Sequence, residues 1–157
     1  MSLILQTGTS LKWGTPGEYI LNGAIYLKTL EPALPGFPAG EYILQIYFSP
    51  KHGFYVPRFI SPTDPTFADR CIENHPGNIF ADTDDCVLVG DGYDDIDCAA
   101  AYPLGDPRHN LGVIPGLTNS RKTFERMMND GKIYLGKPDG KGGYVGGTNI
   151  TVIRAAA

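Results

Sequence analysis

Tyr19-Ile-Leu-Asn-Gly-Ala-Ile-Tyr26 is the stretch that decides the fold class. Asn22-Gly23 supplies the two positive φ angles of a type I′ turn, and β-branched and aromatic residues flank it on both sides. The segment therefore predicts a β-hairpin over roughly residues 18–30. Downstream, Glu31 to Gly40 carries three prolines, which bars a helix or a central strand and makes it a connector. Glu41 to Phe48, EYILQIYF, is poor in polar residues and predicts a central strand. A turn at Ser49–Gly53, a short strand at Phe54–Ile60 and a loop at Ser61–Pro65 follow.

Further along, Cys86-Val-Leu-Val-Gly90 predicts a short buried strand. Asp91 to Leu117 is rich in Gly, Pro and Asp and is expected to be mostly loop, with Cys98 in the core. One helix is expected over about 119–130. Asn119 can cap it, Phe124, Met127 and Met128 share a face, and Gly131 ends it. A short strand at Lys132–Leu135, a glycine-rich hairpin at Pro138–Gly147 and a last strand at Thr148–Arg154 complete the pattern. Strands dominate and few helices separate them. The expectation is a mainly β fold, an antiparallel barrel or sandwich with one packed α-helix, as a single domain over 1–157.

Composition narrows the function classes. The 157 residues carry a net charge of −4 with no basic stripe, which argues against a nucleic-acid partner. No apolar run reaches the ~18 residues of a membrane span. The N-terminal MSLILQTGTSLKW shows no secretory signal, so synthesis in the cytoplasm is expected, with delivery to a cell wall or carriage in a virion by other means. Three cysteines cannot all pair within one chain, so at least one thiol is expected to be free.

Chemistry concentrates between Arg70 and Gly92, RCIENHPGNIFADTDDCVLVGDG, which holds His75, Cys71, Cys86 and four aspartates. Reactive and turn-forming residues collected between strands suit a site loop on a rigid scaffold. A thiol attacks as thiolate and needs a base, and His75, eleven residues before Cys86, is the candidate. Asn78 or Asp82 then orients the imidazole, Arg121 reaches a carboxylate, and Ser120 caps the helix. The bland alternative makes His75 a hydrogen-bonded loop residue and Cys86 a small buried one. Asp84 and Asp85 favour that alternative, because negative charge raises a thiol pKa. The ligand spacing matches neither a zinc motif nor the EF-hand loop, so no metal and no cofactor are expected. His52 and His109 are expected at the surface.

PAGEYILQIYFSPKHGFYVP (Pro38–Pro57), NHPGN (Asn74–Asn78), DTDDCVLVG (Asp82–Gly90) and TNSRKTF (Thr118–Phe124) together resemble a phage and bacterial domain family of unknown function with an H-x-G-N motif. That family is in turn distantly similar to the L,D-transpeptidase catalytic domain. The resemblance implies Cys86 as nucleophile on a peptidoglycan stem peptide, His75 as base and a backbone amide as oxyanion donor. Asp85 stands where that signature has Gly and Asp84 where it has its base. Two readings follow: a cell-wall cysteine peptidase, amidase or transpeptidase, or a non-catalytic phage-derived or secretion-associated binding module whose HPGN loop is structural.

Overall fold

The computed structural model describes residues 1–155. Its main sheet is built from β1 (Leu3–Thr7), β2 (Thr15–Leu21), β3 (Ala24–Glu31), β4 (Gly40–Ser49), β5 (Phe54–Ile60), β6 (Asn74–His75), β7 (Val87–Gly90) and β12 (Thr148–Arg154). Their order across the sheet is β5-β4-β12-β1-β2-β3-β7-β6. The sheet curls until its edges meet: Phe59 N–H donates to the Ile72 carbonyl at 2.9 Å, and Arg58 bridges Glu73. The result is a nearly closed eight-stranded barrel, mostly antiparallel, with β1–β12 and β6–β7 the parallel pairs in it.

The deciding hairpin forms as its turn chemistry dictates. Asn22 and Gly23 adopt φ of 51° and 83°, and β2 pairs antiparallel with β3. Inside the barrel Leu5, Tyr19, Leu44, Val56, Phe59 and Val87 are fully buried. The proline-rich connector contributes Phe37, whose ring lies 4.8 Å from Phe59 and edge-on to Tyr42 at 5.4 Å. One end carries a buried ion pair: both Arg154 Nη atoms donate to Glu31, at 2.6 and 2.9 Å.

The packed helix is α2 (Ser120–Asn129), following a four-residue α1 (Cys98–Ala101). α2 buries Phe124 and Met127 on the barrel, with the Phe124 ring 5.6 Å from Phe54. Gly131 follows it at φ 72°. Its start differs from the expected cap. Asn119 sits in the left-handed region and makes no capping bond; its amide donates instead to Asp91 at 2.8 Å.

Two segments depart from their sequence patterns. Within Asp91–Leu117, β8 (Gly92–Asp97) and β9 (Val113–Thr118) form an antiparallel hairpin. Four of the six β8 residues are exposed, so its aspartates stay solvated and the strand carries no apolar stripe to betray it. Lys132–Leu135 is irregular rather than a strand, held between the positive-φ turns at Gly131 and Gly136. It still buries Ile133 and Leu135, and the Leu135 carbonyl accepts from Ile46 N–H at 2.6 Å. The glycine-rich hairpin forms from β10 (Lys137–Pro138) and β11 (Tyr144–Val145). No helix among the described residues is long and apolar enough to cross a membrane.

Candidate functional site

The site loop hangs between β6 and β7, which run parallel with Asn74 opposite Val87 and His75 opposite Leu88. Paired residues in a parallel ladder share a face, and every second residue returns to it. His75, Glu73, Leu88 and Cys86 therefore point the same way, but the residue level with Cys86 is Glu73. His75 lies two residues further along, an offset of about 6.6 Å from strand rise alone. The bonding agrees with this register. Glu73 N–H donates to Cys86 Sγ at 3.3 Å, and the Cys86 thiol donates to the Cys71 carbonyl at 3.5 Å. No hydrogen bond joins Cys86 to His75 among the described residues.

His75 is bonded to its own chain neighbour. Its Nδ1 lies 2.9 Å from the Pro76 carbonyl, which can only accept, so Nδ1 carries the proton. The ring is buried and stacks on His52 with centroids 4.4 Å apart. Burial, reinforced by His52 and Lys51 nearby, depresses the imidazole to about 4. Burial likewise pushes the Cys86 thiol above its ordinary value, opposed by the Glu73 N–H bond to the sulfur and helped by the Glu73 carboxylate charge. At neutral pH the pair is thus a neutral imidazole and a protonated thiol.

The remaining predicted residues fasten the loop. Asp82 does not orient the imidazole: its Oδ2 accepts Asn78 N–H at 2.7 Å and Ile79 N–H at 3.1 Å, and its Oδ1 accepts from Arg108 at 2.7 Å. Asn78 is exposed, and its carbonyl takes Leu117 N–H at 2.7 Å. Ser120 is buried and clamps two elements rather than capping the helix. Its hydroxyl accepts Gly77 N–H at 2.9 Å and donates to the Val89 carbonyl at 2.6 Å. Gly77 is needed here, since a Cβ would come within 2.6 Å of Leu88 Cδ2. Arg121 is exposed and, among the described residues, makes no side-chain hydrogen bond or ion pair with a carboxylate of the loop.

Several residues at this site went unmarked in the sequence. Glu73 is buried, with Ser49 Oγ donating to it at 3.1 Å, and His52 Nε2 stands 3.6 Å away without a hydrogen bond. His52 is half-buried rather than exposed, and so is His109, whose Nδ1 meets the Tyr102 carbonyl at 2.7 Å. Asn74 is the buried amide of the NHPGN motif, accepting from the Tyr19 hydroxyl and donating to the Pro57 carbonyl. Period-two spacing of Glu73 with His75 was the available signal. Arg108 gave none, because it reaches Asp82 from 26 residues away.

Beside Cys86 runs an open groove of about 380 Å³, lined by Tyr47, Lys51, Arg70, Cys71, Glu73 and Asp85. All three cysteines are free thiols, Cys71 and Cys86 partly exposed and Cys98 buried. Among the described residues no group of three or more His, Cys, Asp or Glu could hold a metal ion. Compared with protein-family models, curated proteins and solved structures, the chain matches none.

Proposed function

We propose that the chain is a non-catalytic binding module of the phage-derived or secretion-associated kind, with a structural HPGN loop and the Cys86 groove as its binding surface. One observation carries the reading. The groups that a cysteine nucleophile would need are not assembled around the sulfur: His75 lies a register step beyond Cys86, Asp82 holds the loop backbone and Arg108, and the Cys86 thiol sits between Glu73 and Cys71. A nucleophile works with its base within about 2.6–3.2 Å, and among the described residues Cys86 has no such contact with His75. The phage or secretion setting rests on the motif resemblance.

A second reading keeps a specific observation of its own. The Cys86 sulfur borders an open groove, as a cysteine peptidase, amidase or transpeptidase of peptidoglycan stem peptides would require. Alkylation separates the two. The binding-module reading expects Cys86 to react with iodoacetamide near pH ~7 no faster than an ordinary thiol, and His75→Ala to leave that rate unslowed. Fast alkylation that collapses in His75→Ala would overturn it in favour of the enzyme.

A further inference from the structure

Two sulfurs, not one, open into the groove. Cys71 stands at the end of the 3-10 turn Pro65–Arg70, and its Sγ lies 3.7 Å from the Tyr47 hydroxyl. Cys86 lines the same groove, with its Sγ already 3.5 Å from the Cys71 carbonyl oxygen. Both side chains are partly exposed to the same solvent-filled space. Cys71 also holds φ at 51°, a left-handed conformation in which a Cβ is unfavourable and Gly or Asn is the usual occupant. A thiol kept at a backbone position that resists it points to a use for the side chain.

We propose that Cys71 and Cys86 form a reversible dithiol–disulfide pair that exchanges with low-molecular-weight disulfides and closes the floor of the groove. One protein thiolate attacks a sulfur of the small disulfide, forming a mixed disulfide and expelling one small thiolate. The second protein thiolate then attacks the protein-side sulfur and expels the other. Two protein thiols become one disulfide, the small disulfide is reduced to two thiols, and the two protons end on those leaving groups. A swing of both side chains between staggered rotamers supplies the motion, and the sulfurs' bonding partners exchange in the same step. The closed loop spans 15 residues and contains β6, the HPGN turn and the Asp82 cap, so oxidation locks the whole site loop to β7. The proposal does not depend on what the groove binds.

The test uses the folded full chain, incubated with excess oxidised glutathione, then alkylated and mapped by mass spectrometry. The expected product is a Cys71–Cys86 linked peptide that dithiothreitol releases, with Cys98 unmodified and a raised Tm for the oxidised form. Cys71→Ser and Cys86→Ser each give a single glutathione adduct and no link. Should Cys71→Ser fail to fold, Cys71→Gly replaces it, because φ 51° suits glycine. Stable glutathione adducts on Cys71 or Cys86 in the wild-type protein, or two unmodified thiols after prolonged exposure, would overturn the pairing. Neither result bears on the alkylation comparison with His75→Ala.

Discussion

Acid should loosen this fold through one ring. In the unfolded chain the His75 imidazole takes its proton near 6.5, whereas in the folded chain burial holds it down to about 4. A folded-state pKa below the unfolded one means that the unfolded chain binds the proton first. The stability attached to His75 is therefore complete above about pH 7 and drains away as pH falls from about 6.5 towards 4. The difference amounts to about 3 kcal/mol in full, and about 2 kcal/mol is already lost at pH ~5. Glu31 acts with the opposite sign, since burial raises its carboxyl, so a single acid titration would blend the two. Comparison with His75→Gln removes the blend. Urea unfolding of both proteins at a series of pH values from about 8 to about 4.5 should show the wild type losing about 2 kcal/mol more than the variant by pH ~5. The variant starts less stable, having lost the Pro76 bond and the stack on His52, but its curve is flatter. Parallel curves would refute the reasoning, because they would mean that His75 titrates alike in both states.

Three further outcomes follow from the same contacts. Ser120→Ala strands the Gly77 amide and the Val89 carbonyl and should cost about 1–3 kcal/mol in chemical denaturation; a loss too small to measure would show the clamp idle. Arg154→Ala leaves the fully buried Glu31 without its partner and should cost about 3–5 kcal/mol, read as a fall in Tm, while Glu31→Gln combined with Arg154→Met should recover a large part of it. Gly23→Ala puts a Cβ at φ 83° in the hairpin turn, and urea unfolding should register a cost of about 1–2 kcal/mol.

The fold was legible where a residue's behaviour depends on its immediate neighbours. Asn22-Gly23 needs only its own dihedrals, and the 148–154 strand needs only alternation, so both emerged with the right type and nearly the right bounds. The β8–β9 hairpin was hidden because exposed aspartates give a strand no apolar face to detect. At the site, residue types located the loop but not its wiring. Whether His75 or Glu73 comes level with Cys86 depends on the parallel register of two short strands, and no local pattern encodes it. Arg108 reaching Asp82, and Ser120 joining Gly77 to Val89, are likewise products of tertiary placement.

The place of β12 in the sheet bears on how the chain assembles. It lies between β4 and β1, so without it the sheet parts into β5-β4 and β1-β2-β3-β7-β6, which then meet only at the short seam where Phe59 and Arg58 face Ile72 and Glu73. The strand far along the chain is thus the keystone, pairing with β1 near its start and with β4. A chain lacking Thr148–Arg154 would hold two rafts with bare edges at β4 and β1, joined only by that short seam, the condition in which sticky intermediates persist. Deleting that single segment should yield insoluble material rather than a smaller barrel.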